Sequence, residues 1–284
     1  MMLLWLFVTV LVLAVLVLFC VAPDAGQRGL RAPFVGRNFA HRGLYAQDQS
    51  VPENSLPAFE AAARAGYGIE LDVQFSADRQ LVVFHDDHLD RMTSLKGWVR
   101  DHAYSELSKT CLADAPQTIP LFSQVLETVG GRVPLIVEIK SRWGYSSAYL
   151  DALCAAVLEA LGRYNGSYCI ESFDPRVVRR IHKMAPGVLR GQLIDSFEGY
   201  RRAGARSIWA YLLSHGFGNF LGRPQFIAWA PQPQNWAIRL CDWMGAMMVY
   251  WTARPSADVA ALRRRYDGII FEWYHPRTQY QPRH

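Results

Sequence analysis

Acidic and apolar side chains alternate in one short segment, residues 68–75, whose sequence is GIELDVQF. This period of two predicts a β-strand, in which successive side chains point to opposite faces. Glu70 and Asp72 therefore share one face, opposite an apolar one. Two neighbouring carboxylates repel each other unless a cation lies between them or one binds a proton. Because Mg²⁺ and Ca²⁺ prefer carboxylate oxygens, the pair indicates a metal site. The alternative is the solvated face of an ordinary strand.

Two later segments place further polar side chains on predicted strands. In PLIVEIK, residues 134–140, the period of two puts Glu138 and Lys140 on one face. Glu138 would then join Glu70 and Asp72 as a third acid, and three acids from two strands suit a metal held by oxygen ligands. A salt bridge between Glu138 and Lys140 is the alternative. Glu171 lies on the following predicted strand.

Two histidines near these acids are candidates for proton transfer. His41 ends the first predicted strand and His85 follows another short apolar run. Histidine titrates closest to neutral pH, so one ring could accept a proton while the other donates one. Arg42 follows His41, and its planar fork of donors suits a phosphate group. The alternatives are a structural histidine and a surface salt bridge.

The composition limits the classes of partner. The chain has 284 residues, 51% of them hydrophobic, and a net charge of +5. Its 30 basic residues are scattered along the chain, so we predict an anionic substrate or membrane surface and no nucleic-acid partner. Five widely spaced cysteines without a C-x-x-C motif indicate neither a disulfide framework nor a zinc site.

The first 23 residues contain no charged side chain. At ~1.5 Å per residue, a helix of this length crosses a ~30 Å hydrocarbon core. A signal peptide is the alternative, but the segment lacks both a basic start and an A-x-A-like cleavage site. We therefore predict a single-pass transmembrane anchor over residues 1–23. Arg28, Arg31 and Arg37 follow it, and the excess of positive residues on cytoplasmic sides predicts a cytoplasmic domain.

Residues 24–37, rich in Gly, Pro and Arg, are predicted to form an irregular linker, and residues 38–284 a single domain. Strand and helix patterns alternate through this domain, which favours a parallel sheet. About eight strands would close a (β/α)₈ TIM barrel, whose sites lie at the carboxyl ends of the strands. A doubly wound open sheet is the alternative, but the chain lacks a nucleotide-binding glycine loop. The predicted strands are residues 38–41, 68–75, 81–85, 134–140, 167–172, 189–193, 226–229, 247–251 and 268–271.

Several motifs in one order resemble the glycerophosphodiester phosphodiesterase family. They are HRG, PENSLPAF, ELDV, VFHDDHLDRMT, IPLFSQVL and VEIK, between residues 41 and 140. The resemblance implies a TIM barrel, a Mg²⁺ or Ca²⁺ ion, and hydrolysis of a glycerophosphodiester to glycerol 3-phosphate and an alcohol. The matching positions are His41 and His85 for the acid–base pair, Glu70, Asp72 and Glu138 for the metal ligands, Arg42 for the phosphate contact, Asn54 and Lys140 for further contacts to the substrate or its phosphate, and Glu53 for a position beside the site.

Other positions match the family less closely. Trp251 lies in YWTAR, where the family often has Asn soon after the Trp-Thr pair, and we predict that Trp251 lines the substrate pocket. Glu171 and Gln192 are predicted to lie beside the site, with an ordinary strand-end position as the alternative. Glu272 in DGIIFE matches only in part and is given no role.

Three functions fit the resemblance. The first is a membrane-anchored glycerophosphodiester phosphodiesterase, a phosphoric diester hydrolase of phospholipid metabolism. The second is lysophospholipase D-type hydrolysis of lysophospholipids at the same site. The third is a non-catalytic barrel that binds phospholipid, which would predict loss of a metal ligand or a histidine, and all five are present. The stretch Trp209–Trp251 is unusually aromatic, and we predict that part of it faces lipid.

Overall fold

The computed structural model describes residues 1–229 and 233–281 of the chain. Within these residues, strands and helices alternate in sequence as predicted. The strands are β1 (Arg37–His41), β2 (Gly68–Phe75), β3 (Leu81–Val83), β4 (Leu135–Ile139), β5 (Tyr168–Ser172), β6 (Arg190–Ile194), β7 (Phe226–Trp229), β8 (Met247–Ala253) and β9 (Gly268–Phe271). The helices are α1 (Met2–Val21), α2 (Leu56–Ala65), α3 (Tyr104–Leu107), α4 (Phe122–Val129), α5 (Ser147–Gly162), α6 (Pro175–Met184), α7 (Phe197–Arg202), α8 (Ser207–Ser214), α9 (Asn219–Gly222), α10 (Trp236–Trp243) and α11 (Val259–Arg265).

Eight of these strands form a closed parallel barrel, which confirms the predicted TIM-barrel fold. Neighbouring strands follow the order β1, β9, β8, β7, β6, β5, β4 and β2, and β2 pairs with β1 to close the ring. The remaining strand, β3, pairs antiparallel to the end of β2 and lies outside the ring. The apolar run at residues 81–85 therefore contains a strand that pairs with the end of β2 and is not one of the eight barrel strands.

Local signals explain where the helices begin and end. The Ser55 side chain accepts a hydrogen bond at the start of α2, and Gly66 ends that helix in the left-handed conformation. Asp174 caps α6 in the same way, directly before Pro175. Each of these helices packs its apolar face on the barrel.

The interior of the barrel is divided between apolar and polar residues. All eight residues of β2 are buried, because its apolar face packs under helices while its acidic face points into the ring. At the amino-terminal end of the ring, the interior is filled by Phe39, Ile136 and Phe226. The buried acids Glu70, Asp72 and Glu138 lie towards the carboxyl end. The cluster of buried acids therefore lies at that end of the barrel.

Residues 24–36 cross the amino-terminal end of the barrel and are tied to it. Asp24 Oδ2 lies 3.0 Å from the guanidinium of the buried Arg190 on β6. Arg31 donates to the carbonyl of Gly245, just before β8, at 2.7 Å. The ring of Phe34 stacks on that of Phe39. This stretch thus joins α1 to the barrel through fixed contacts.

Helix α1 projects from the barrel. It has 20 residues, and Val21 is its one buried residue. The helix is long and apolar enough to cross a membrane, a property that a signal sequence near the amino terminus also has.

Gly43, directly after His41 and Arg42, has a backbone that a side chain would disturb. Its φ is +82°, and a Cβ atom there would lie 2.7 Å from the backbone of Ala58. A left-handed conformation costs an L-residue roughly 1–2 kcal/mol, and overpacking adds about 1–3 kcal/mol. We expect Gly43→Ala to lower the free energy of unfolding by about 2–5 kcal/mol in urea titrations.

Gly97 provides the matched control for this prediction. Its φ is +90°, but a Cβ atom there would meet no atom within 4 Å. Gly97→Ala should therefore show the backbone cost alone, about 1–2 kcal/mol. Equal losses for the two variants would contradict a close approach at Gly43.

Candidate active site

Three carboxylates from two neighbouring strands meet at the carboxyl end of the barrel. Asp72 on β2 is in register with Glu138 on β4, and Glu70 precedes Asp72 by two residues on the same face. One oxygen from each of the three lies within 4.8 Å of the others, and all three residues are buried. The structure thus brings together the three predicted ligands.

Cations surround two of these three acids. Lys140 Nζ lies 2.9 Å from Glu138 Oε1 and 3.3 Å from Asp72 Oδ1. Arg42 Nε lies 3.6 Å from Asp72 Oδ2, and Asn54 Nδ2 donates to the same oxygen at 2.8 Å. Burial opposes the ionisation of Asp72, but these cations outweigh it and hold its pKa well below the ordinary value.

Glu70, unlike Asp72, has a raised pKa. It accepts a hydrogen bond from the backbone N–H of Arg42 at 3.1 Å. Burial, with the charges of Asp72 and Glu138, raises its pKa well above the ordinary value. A divalent cation would remove this repulsion, and three carboxylates are the hard oxygen donors that Mg²⁺ and Ca²⁺ take. The residues present therefore fit such an ion.

His41 is held by a carboxylate from the last strand of the barrel. Its Nδ1 lies 2.7 Å from Oε2 of Glu272, which directly follows β9. Tyr45 donates its hydroxyl to the same oxygen at 2.7 Å, and Arg254 Nε donates to the other oxygen at 2.7 Å. His41 Nε2 lies 3.9 Å from Glu70. Glu272 is a site residue that local sequence patterns did not identify, although its place at the end of a barrel strand was a usable signal.

His85 has a similar carboxylate partner. Its Nδ1 lies 2.6 Å from Asp86, whose other oxygen accepts from Arg91 at 2.6 Å. Glu53 then bridges Arg91 and Arg42, at 2.5 and 2.7 Å. Both histidines thus have Nδ1 fixed, and this leaves Nε2 of each ring for proton exchange with a bound molecule.

A cavity of about 140 Å³ joins these groups. Trp251 forms part of its wall, with its ring edge-on to Phe173 at 5.5 Å, and its buried Nε1 donor has no partner among the described residues. Glu171 also lines the cavity, and burial raises its pKa well above the ordinary value. The lining residues are His41, Arg42, Glu70, His85, Glu138, Glu171, Phe173, Leu193, Trp251 and Ile270.

Five of the predicted residues do not line the cavity: Glu53, Asn54, Asp72, Lys140 and Gln192. Lys140 contacts Asp72 and Glu138 instead. Asn54 supports Asp72, and Glu53 supports Arg42. Gln192 donates to the carbonyls of Ser172, Phe173 and Leu193, so its amide fixes the ends of two strands. These residues position the side chains that face the cavity.

Residues 41–271 match the model of the glycerophosphoryl diester phosphodiesterase family. A glycerophosphodiester phosphodiesterase of Caldanaerobacter subterraneus is 35% identical over 162 residues, which are 54% of this chain and 65% of that protein. The human lysophospholipase D GDPD1 is 28% identical over 46% of this chain and 43% of that protein. The chain thus spans less than two thirds of the length of these relatives.

A crystal structure of a glycerophosphodiester phosphodiesterase from Thermotoga maritima has the same fold. It aligns with a TM-score of 0.61 at 26% identity, over 82% of this chain and 93% of that one. The similarity to solved structures therefore extends around the barrel and beyond the motifs near its first strands.

Proposed function

Because the chain belongs to the glycerophosphoryl diester phosphodiesterase family, we propose that it is a membrane-anchored, metal-dependent enzyme that hydrolyses glycerophosphodiesters to glycerol 3-phosphate and an alcohol. One observation carries the proposal. The cavity at the carboxyl end of the barrel combines a buried cluster of three carboxylates with two carboxylate-bound histidines and an arginine. A phosphodiester needs such a site, because its negative charge repels nucleophiles and its alkoxide is a poor leaving group.

Glu70, Asp72 and Glu138 would hold the divalent ion, Mg²⁺ or Ca²⁺. When bound, this ion supplies positive charge that stabilises the growing charge of the phosphoryl oxygens. Arg42 lines the same cavity and offers its guanidinium to the phosphate. Lys140 favours the charged form of both Asp72 and Glu138: it helps to hold the pKa of Asp72 well below the ordinary value, whereas burial still raises the pKa of Glu138 to about 7.

His41 and His85 would divide the proton transfers. One ring takes the proton of the attacking oxygen, which is water or a hydroxyl of the substrate, and the other protonates the departing alkoxide. The carboxylates of Glu272 and Asp86 each accept from Nδ1 and so present Nε2. Trp251 would bound the pocket for the glycerol or the leaving group, with its indole N–H available to an oxygen of the substrate.

The proposal also covers location and domain organisation. Residues 1–23 would anchor the protein in a membrane, residues 24–37 would link the anchor to the barrel, and residues 38–284 would form the domain on the cytoplasmic side. The length and apolar composition of α1 support the anchor. The name of the human relative, lysophospholipase D GDPD1, supports lysophospholipids as a second substrate class.

The direct test is hydrolysis of glycerophosphocholine and of lysophosphatidylcholine by the full chain in detergent. We expect release of glycerol 3-phosphate from the first substrate, abolished by EDTA and restored by Mg²⁺ or Ca²⁺. Turnover of lysophosphatidylcholine alone would move the assignment to the second substrate class. Absence of turnover of both, with every divalent ion tried, would contradict the proposed reaction.

Glu272→Gln tests how His41 is held. Burial lowers the pKa of His41, and the Glu272 carboxylate opposes this effect. Removing that charge should lower the pKa of His41 further. The limb of the kcat/KM profile that reports His41 should then move to lower pH, whether His41 acts as acid or base. We expect kcat to fall by about 10- to 100-fold, less than loss of the ring itself would cost.

Tyr45→Phe is the control for this variant. It removes the hydrogen bond from Tyr45 to Glu272 but keeps the contact between the Glu272 carboxylate and His41. We expect its pH profile to stay close to that of the unmodified protein. An unchanged limb in Glu272→Gln would show that Glu272 does not govern the titration of His41.

A further inference from the structure

Exposed apolar side chains are concentrated on three helices that follow one another in the chain. The first and third of them meet where Asn235, before α10, donates to the carbonyl of Ser214 at the end of α8 at 2.7 Å. After residue 21, nine large hydrophobic residues are exposed among the described residues, and six of them lie on α8, α9 and α10. Three are tryptophans with large exposed fractions: Trp243 at 81%, Trp209 at 53% and Trp236 at 48%. The others are Ile208, Tyr211 and Phe220. We name this set the α8–α10 aromatic surface.

The structure separates these rings from the other tryptophans of the same stretch. Trp229 lies on β7 and is 2% exposed, and Trp251 belongs to the wall of the active-site cavity. Their apolar area is therefore used within the fold. The rings of the α8–α10 aromatic surface lie on the outer faces of helices, where burial in the barrel does not explain them.

The carboxyl end of α1 is attached to two of the same helices. Asn219 of α9 donates to the carbonyl of Val21 at 2.9 Å, and Cys241 of α10 lies 3.2 Å from that oxygen. Arg223, just after α9, donates to the carbonyls of Phe19 and Ala22. These contacts satisfy carbonyls that the end of a helix leaves unpaired. The last turn of α1 is thus fixed against α9 and α10.

The attachment of α1 to α9 and α10 places the end of α1 beside the α8–α10 aromatic surface. If α1 spans a bilayer, Val21 lies at the boundary between hydrocarbon and water, and α9 and α10 are held there with it. Tryptophan rings favour that boundary, because their apolar body enters the acyl region while the N–H stays among the headgroups. The tryptophan rings of α10 are therefore held near the part of the bilayer that such rings favour.

Positive charge lies next to the same helices. Arg179 and Lys183 are exposed on α6, in a cleft of about 340 Å³ that Leu221 of α9 also lines. His182 of α6 lies 2.9 Å from the carbonyl of Gly222 at the end of α9, so this basic cleft adjoins the attachment of α1. Basic side chains near a membrane attract anionic headgroups.

From these observations we infer that the α8–α10 aromatic surface docks on the interface of an anionic bilayer and fixes the barrel beside its anchor. The inference rests on the proposed retention of α1 in the membrane. It does not depend on the proposed catalysis, because none of the six residues lines the active-site cavity. The partner is the lipid surface itself.

The test uses the full chain in vesicles of phosphatidylcholine and phosphatidylglycerol, with and without bromine on the acyl chains near the headgroup. Bromine quenches tryptophan emission only at close approach. Four variants, Trp5→Phe, Trp143→Phe, Trp209→Phe and Trp243→Phe, give the emission of each ring by difference from the unmodified chain. Far-UV circular dichroism checks that each variant keeps its fold.

Trp5 and Trp143 are internal references. Trp5 lies within α1, and Trp143 is 60% exposed in a loop at the carboxyl end of the barrel, after β4. We expect bromine to remove the emission of Trp5, Trp209 and Trp243 and to leave that of Trp143. Quenching of Trp5 without Trp209 and Trp243 would overturn the docking surface but keep the anchor. An unquenched Trp5 would overturn both, and equal quenching of Trp143 would show adsorption without a defined surface.

Discussion

Glu70→Gln is expected to abolish metal-dependent activity while making the metal-free protein more stable. The substitution keeps the size of the side chain and an acceptor for the backbone N–H of Arg42. It removes one of three carboxylates proposed as ligands, so metal affinity should fall by at least about 100-fold. Loss of preorganised charge stabilisation costs about 10²–10³-fold in kcat, and we expect a loss of at least that size.

Without metal, the substitution should stabilise the fold, because burial and the charges of Asp72 and Glu138 raise the pKa of Glu70 and so oppose its ionisation, whereas glutamine carries no charge. Calorimetry of the full chain in EDTA should therefore give a higher Tm for Glu70→Gln than for the unmodified protein. Mg²⁺ or Ca²⁺ should raise the Tm of the unmodified protein. At a metal concentration of 100 times Kd, the free energy of unfolding should increase by about 2.7 kcal/mol. The variant should show no such increase.

Glu171→Gln is the matched control. Glu171 lines the same cavity on the neighbouring strand β5 and lies outside the cluster of three carboxylates. Burial raises the pKa of Glu171 well above the ordinary value and so disfavours its charged form, and glutamine keeps the size of the side chain without the charge. We expect metal binding and turnover to remain close to those of the unmodified protein. A Glu70→Gln variant that binds metal as tightly as Glu171→Gln would rule out the proposed ligand set.

His41→Ala and His85→Ala should each lower kcat by about 10²–10⁴-fold, the usual contribution of general acid–base catalysis. Metal binding, measured by calorimetry, should persist in both variants, because the three carboxylates remain. His102→Ala is the control, since His102 bonds to Glu106 and lies outside the cavity. It should retain full activity.

A substrate with a better leaving group can assign the two roles. p-Nitrophenolate departs without being protonated, so a glycerophospho-p-nitrophenyl ester does not need the general acid. The histidine whose alanine variant recovers on this ester is therefore the acid, and the other is the base. Recovery of both variants, or of neither, would contradict a division of roles between His41 and His85.

Local sequence patterns were enough to predict the fold and the acidic cluster. Alternation in β2 placed Glu70 and Asp72 on one face, and the same period over residues 134–140, which contain β4, placed Glu138 and Lys140 on one face of that segment. In a parallel barrel, polar faces at strand ends converge, so these residues had to meet. The run at residues 81–85 was harder to classify. A short apolar segment suits both a barrel strand and the antiparallel β3, and the pairing partner decides between them.

Contacts between distant parts of the chain could not be predicted in this way. Glu272 reaches His41 across 231 positions because β9 lies beside β1 where the barrel closes. No periodic pattern within a short segment indicates that β9 pairs with β1. Exposure is equally a property of the assembled molecule. Aromatic content marked the stretch Trp209–Trp251, but packing on the barrel decided that Trp229 is buried and that Trp243 faces outwards. The sequence by itself thus determined the faces of each strand and helix, whereas the partners of those faces were decided by how the tertiary structure brought them together.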